Sequence, residues 1–224
     1  MGAQSGKPIR HLVVLGHPAA KSFNHAIATA YCEAVHECGQ EAVVRDLYAM
    51  SFDPLLKAEE RPGAAGFTPA EDVEAELGLL RDSAILTLVY PIWFGTPPAI
   101  IKGYVDRVLG AGFHARDLRL GVPHPVLHGK RLMQLTTSAT TRPWLEEQGQ
   151  WSGLRAAFDG YLATVFGLVK GEHVHFDAIV GDLDPRYADE CLEWTRERTR
   201  AACSLLSRER HQAREASNGG AATG

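Results

Sequence analysis

The chain has 224 residues, enough for one domain with a full core, and its 45% hydrophobic and 22% charged residues are ordinary for a globular protein. Its net charge of −4 gives no broad positive field, which argues against nucleic acid as a partner, and no apolar run approaches the roughly 20 residues of a membrane span. Cys32, Cys38, Cys191 and Cys203 are scattered without a CxxC pair, and the first apolar segment, Leu12 to Leu15, is too short for a signal peptide, so a cytoplasmic protein with free thiols is expected.

Residues 1–8 read as a flexible lead-in. The β-branched run Ile9–Leu15 predicts a buried strand ending at Gly16. Ile27, Tyr31, Ala34 and Cys38 then mark one face of a helix over 24–38, stopped by Gly39. Ala42–Arg45 is a second strand, and the Pro- and Gly-rich stretch 46–67 is a long loop of the kind that often carries function. Thr68-Pro69-Ala70-Glu71 has the form of a capping box ahead of a helix whose inner face is Val73, Leu77 and Leu80.

Ala84–Tyr90 is the most apolar strand. Thr96-Pro97 opens a helix with Ile101, Val105 and Val108 or Leu109 facing inward, ended by Gly110. Arg131–Thr136 is a fourth strand. Leu154, Phe158, Tyr161 and Val165 are spaced as a helix face, and 168–176 reads as the fifth strand. Asp184-Pro185 starts a last helix running to about Arg210, and residues 211–224 are expected to be a disordered tail. Residues 9–210 thus form one domain.

Five strands alternating with helices imply an α/β fold with a parallel sheet covered on both faces, doubly wound in the flavodoxin order 2-1-3-4-5. Ligands in such sheets bind beyond the carboxyl ends of the strands. Three loops lie there. The loop 16–24 presents a helix N-terminus suited to an anion, with His17, Lys21, Ser22 and Asn24 as polar side chains. It is neither GxGxxG nor a Walker loop, and as a generic sequence it is equally an ordinary capped helix start. The loop 90–98 carries Trp93 and Phe94, which can stack on a flat ring or simply anchor the core. The loop 136–141 offers four threonines and a serine as polar groups.

His173 and His175 lie two apart on a strand, where two ligands of a metal could sit, but no third ligand is evident and they read as surface histidines. His114, His124 and His128 cluster near one loop. Glu193–Arg210 alternates charge as the solvated face of a helix. No GxSxG is present, which disfavours an α/β-hydrolase.

The strings HPAAKSFN (17–24), DLYAMSFDP (46–54), YPIWFGTPPAIIKGYVDRVLGAGFHA (90–115), HGK (128–130), LTTSA (135–139) and TVFGLV (164–169) resemble, in this order, the NAD(P)H:quinone oxidoreductase (DT-diaphorase-like) family of flavodoxin-like fold. The resemblance implies a homodimer with one flavin per subunit, FAD favoured and FMN possible. It further implies NAD(P)H as electron donor and ping-pong two-electron transfer to a quinone-like acceptor. It places His17, Lys21, Phe23 and Asn24 at the phosphates and ribityl chain, Pro91, Ile92, Trp93, Phe94 and Gly95 along the isoalloxazine, and Thr136, Thr137 and Ser138 at its pyrimidine end. Two departures stand out. The family's usual Thr-Thr-Gly-Gly reads Thr-Thr-Ser-Ala here, and residues 141–151 hold neither the Tyr nor the His that assist hydride transfer in mammalian-type members. No general acid is therefore assigned, and Trp144 and Trp151 are candidates for the acceptor pocket wall or for packing. Two rival readings are a regulatory flavoprotein subunit acting on a partner such as a transporter, and a one-electron carrier, the latter disfavoured by the modest acidity.

Overall fold

The structure is a computed structural model that describes residues 7–220. Five strands, β1 (Arg10–Leu15), β2 (Glu41–Asp46), β3 (Ile85–Pro91), β4 (Arg131–Thr137) and β5 (Val169–Phe176), form one sheet in the order β2-β1-β3-β4-β5. Every neighbouring pair is parallel. The residues 1–6 and 221–224 of the expected lead-in and tail lie outside the described residues.

Alternation along the strands divides the core in two. Leu12, Val14, Leu86, Leu88 and Tyr90 face a layer made by α2 (Glu71–Asp82), α3 (Ala99–Tyr104) and the helices α5 (Arg142–Glu147), α6 (Gln150–Leu154) and α7 (Leu162–Phe166). Val13, Leu15, Ile85, Val89, Met133 and Leu135 face α1 (Phe23–Glu37) and α8 (Pro185–Gly220). A short helix, α4 (Ala115–Leu120), follows α3. β3, central and buried at every position, is the strand with the least interrupted apolar run.

Several details depart from the sequence-based expectations. Glu71 begins α2 behind Ala70, with no side-chain cap, so the Thr68–Glu71 capping box does not form and Pro69 precedes the helix. The helix expected from Thr96-Pro97 starts at Ala99, because Pro98 takes the capping position and Thr96 closes a turn with Trp93. Between α6 and α7 the backbone winds as a π-helical segment over Arg155–Tyr161, whose wider turn rotates the following residues. Leu162 and Phe166 are buried in consequence, while Tyr161 is left 64% exposed. α8 continues to Gly220, so 211–220 is helical where a disordered tail was expected.

The long loop after β2 is held from inside. Arg107 is fully buried, its guanidinium bonded to Glu60 at 2.7 and 2.8 Å, to Asp72 at 2.7 and 3.1 Å and to the Asp53 carbonyl at 2.7 Å. Gly103 lets α3 press on that loop, since a Cβ there would lie 2.5 Å from the Pro54 backbone.

Candidate functional site

The carboxyl ends of β1, β3 and β4 open on a two-lobed cleft. One lobe, of about 160 Å³, is lined by His17, Phe23, Asn24, Pro91, Ile92, Trp93, Thr137, Ser138, Ala139 and Ile179. The other, of about 340 Å³, shares Ile92, Trp93 and Ala139 and adds Phe94, Gly95, Thr140, Trp144, Leu145 and Gln150. Ten of the twelve residues singled out from sequence therefore lie on one continuous surface, while Lys21 and Thr136 do not line it. Lys21 is exposed on the β1–α1 loop. Ile179, Leu145 and Gln150 were missed, because nothing in their local sequence marks them.

The β1–α1 wall is built around Ser22, whose hydroxyl caps α1 by accepting from the His25 N–H. Phe23 and Asn24 are the first residues of that helix, where N–H groups have no intrahelical acceptor. His25, also unmarked in the sequence, links Ser22 Oγ at 2.8 Å to Asp46 Oδ2 at 3.0 Å and so fastens the loop to the end of β2. The His17 ring stands edge-on to Trp93, with centroids 5.7 Å apart, and its Nδ1 accepts the Ala19 N–H at 3.0 Å. Burial holds the His17 imidazole below its ordinary value, helped by the nearby His25.

The β3 wall ends in a tight turn. Trp93 and Thr96 bond each other's backbone at 3.0 Å, and the two residues between them, Phe94 and Gly95, have φ of +51° and +78°. Positive φ at both central positions is the primed hairpin turn. Gly95 accepts it readily; Phe94 does so under strain, with its ring entirely in solvent.

Thr136 and Thr137 point to opposite faces of β4, as neighbours on a strand must. Thr137 reaches α1, donating to Asn24 Oδ1 at 3.1 Å. Asn24 is 2% exposed, and its Nδ2 has no hydrogen-bond partner. A buried orphan donor on a cleft wall is a place for a ligand acceptor. Thr136 turns away from the cleft and bonds His173 Nε2 and His175 Nδ1, both at 2.9 Å. Ser138 uses its N–H on the Phe176 carbonyl and its hydroxyl on the Thr140 carbonyl.

The two histidines are thus not surface residues: the His173 side chain is 2% exposed, and Trp151 covers both rings at 4.9 Å. Trp151 is itself buried, with the guanidinium of Arg142 on its ring at 4.9 Å, so it packs rather than walls the cleft; Trp144 does line it. His114, His124 and His128 lie outside the lining. Among the described residues no group of three His, Cys, Asp or Glu side chains is placed to hold a metal, and no helix is long and apolar enough to cross a membrane.

Comparison with known proteins agrees with this architecture. The family described as having a flavodoxin-like fold matches residues 9–200. A Haemophilus influenzae protein named as an uncharacterized NAD(P)H oxidoreductase is 32% identical over 206 residues, 90% of this chain and 100% of that relative. NAD(P)H dehydrogenase (quinone) 1 of Cavia porcellus is 32% identical over 149 residues, 58% of this chain; the match spans 54%, about half, of that relative's length. The solved NAD(P)H:quinone oxidoreductase from Methanothermobacter marburgensis superposes with a TM-score of 0.75 at 24% identity, over 87% of this chain and 96% of that one.

Proposed function

Since the chain belongs to the NAD(P)H:quinone oxidoreductase family of flavodoxin-like fold, we propose that its cleft binds a flavin and passes electrons from NAD(P)H to a quinone-like acceptor. The observation that carries this reading is the convergence of a helix N-terminus, an exposed Trp93–Phe94 turn and the orphan amide of Asn24 on one cleft. These donors suit a flavin's three parts: phosphate, flat ring and polar ring edge.

In this reading the N–H groups of Phe23 and Asn24, with Lys21 and His17, hold the anionic phosphate. Asn24 Nδ2 donates to the ribityl chain or ring edge. Pro91, Ile92, Trp93, Phe94 and Gly95 support the ring's length, and Thr137 and Ser138 close its pyrimidine end, with Thr136 beneath them. A bound flavin would supply the two-electron hydride chemistry between NAD(P)H and an acceptor, with the residues named above holding it. The protein positions both substrates in turn at the same face and excludes water with Trp93 and Trp144. FAD is favoured over FMN. A homodimer is part of this reading, as the family resemblance implies.

The test is to incubate the purified chain with FAD and with FMN, then assay NADH and NADPH oxidation with menadione, a quinone. Flavin binding with acceptor-dependent turnover is expected; a folded chain that binds neither flavin would overturn the reading.

A further inference from the structure

Behind the Thr136–Ser138 end of the cleft lies a buried row of polar groups whose hydrogen bonds can be counted one by one. Asp159 Oδ1 meets His173 Nδ1 at 2.8 Å, and His173 Nε2 meets Thr136 Oγ1 at 2.9 Å. Thr136 Oγ1 meets His175 Nδ1 at 2.9 Å, and His175 Nε2 meets Ser138 Oγ at 3.1 Å. Ser138 Oγ lies 2.6 Å from the Thr140 carbonyl, and Ser138 is one of the residues that line the cleft. We propose that these five side chains form a one-proton relay that carries a proton between the buried Asp159–His173 pair and Ser138 at the cleft.

The orientation of every link follows from the groups around it. Gln134 presents its NH2 to the Phe158 carbonyl and to Asp159 Oδ1, at 3.0 and 2.6 Å, while its carbonyl accepts from Tyr90. Arg155 donates to Asp159 Oδ2 at 2.8 Å. Asp159 is therefore an acceptor on both oxygens; burial opposes its charge, but His173 and Arg155 hold its carboxyl below the ordinary value. His173 Nδ1 must then carry a hydrogen, and two arrangements remain for the rest.

Without an added proton, Thr136 donates to His173 Nε2, His175 Nδ1 donates to Thr136, and Ser138 donates to His175 Nε2. Ser138 has one hydrogen, so its bond to the Thr140 carbonyl is then unmade. With one added proton, every link reverses. His173 Nε2 donates to Thr136, Thr136 to His175 Nδ1, His175 Nε2 to Ser138, and Ser138 to Thr140. All five contacts are then satisfied at once, which accounts for both short distances at Ser138 Oγ.

Passing between the two arrangements moves one proton and no electrons. An acid in the cleft protonates Ser138 Oγ; Ser138 gives its original hydrogen to His175 Nε2; His175 Nδ1 gives its hydrogen to Thr136; Thr136 gives its own to His173 Nε2. The acid's bond to hydrogen is broken, and one N–H bond is gained on His173. In reverse the same shifts deliver a proton to the cleft, where, on the proposed redox reading, negative charge arrives with hydride. The surroundings place the stored charge on His173 and not on His175. Burial pushes the His175 imidazole down to about 4; His173 and Arg142 lower it further, and Asp177 opposes them. Asp159, Arg155, Arg142, Asp177 and, through Gln134, Tyr90 are the charged or titratable groups that face the pair.

The relay belongs to the flavin-free chain and is testable there, apart from the proposed activity. Imidazole nitrogen NMR of the full chain, followed across pH, reads both histidines. In the wild type the His175 tautomer should switch from Nδ1–H to Nε2–H with the same midpoint as His173 gains its proton. Thr136→Val should uncouple the two, and Thr136→Ser should restore the shared midpoint. A His175 tautomer that never changes, or a Thr136→Val curve identical to wild type, overturns the relay. Should Thr136→Val fail to fold, Ser138→Ala serves, since without that hydroxyl His175 should remain Nδ1–H throughout. With flavin bound, Thr136→Val should slow reduction by NADPH or NADH about tenfold or more, and Thr136→Ser should not. Equal rates would overturn proton delivery to the cleft.

Discussion

Thr137 donates its hydroxyl to Asn24 Oδ1 at 3.1 Å, joining the end of β4 to the start of α1 beneath the cleft. That bond fixes which way the Asn24 amide faces, and it aims the unpartnered Nδ2 where a ligand can accept from it. Asn24→Ala should therefore weaken flavin binding about tenfold, equivalent to about 1.4 kcal/mol. The flavin-free protein should also lose about 1–3 kcal/mol, because the substitution removes the acceptor of the buried Thr137 hydroxyl. Fluorescence titration with FAD and FMN, beside a denaturant melt of the free chain, checks both halves.

Phe94 holds φ +51° with its ring wholly exposed, so the turn keeps a strained residue that contributes nothing to the free chain's core. Phe94→Gly should relieve that strain and raise flavin-free stability by about 1 kcal/mol. The same change should weaken binding of the flavin or of the acceptor, where the ring is needed. A chemical denaturation midpoint and a menadione KM give the two readings.

Arg107 with Glu60 and Asp72 is the internal clamp of the loop after β2. Removing the guanidinium leaves Glu60 buried and unpaired, so Arg107→Ala should cost about 3–5 kcal/mol. Both carboxyls are held below their ordinary values, chiefly by the Arg107 hydrogen bonds. Their stabilisation is fully present above the unfolded carboxylate range, near pH 4, and is lost as pH falls through their lower folded values. Acid denaturation of wild type should be steep there, and Arg107→Met should flatten it.

His11 and His175 act in the opposite pH range. Burial pushes His11 down to about 4 against a hydrogen bond to Gln40, and His175 is pushed to about 4 as well. Both are neutral when folded, whereas an unfolded histidine takes a proton near pH 6.5. Stability from this source is complete above pH 6.5 and declines as pH falls toward 4. His11→Met should make that decline shallower, because one of the depressed groups is gone. Urea midpoints at several pH values between 4 and 7 measure it.

Much of the architecture could be read from residues alone. Strands such as β3 are apolar runs bounded by polar residues, and the inner faces of α1 and α2 follow the helical period. The cleft was legible because fold class dictates that strand ends of β1, β3 and β4 meet, so distant loops could be assembled without a contact map. What escaped had non-local causes. The π-helical turn at Arg155–Tyr161 exchanges Tyr161 for Leu162, and no local spacing announces it. It also carries Asp159 to His173 and turns an apparently exposed histidine pair into a buried one. Thr136 is a different case: its place at the strand end suggests the cleft, but pleat parity, a local rule, sends its side chain to the other face.

The central claim is that this cleft holds a flavin. The most direct measurement is release of the bound chromophore from purified protein, after incubation with FAD and FMN, with its identification by mass and its ratio to chain. One flavin per chain, FAD favoured, with affinity reduced in Asn24→Ala, is the predicted result. A folded protein that stays colourless after incubation with either flavin would contradict it.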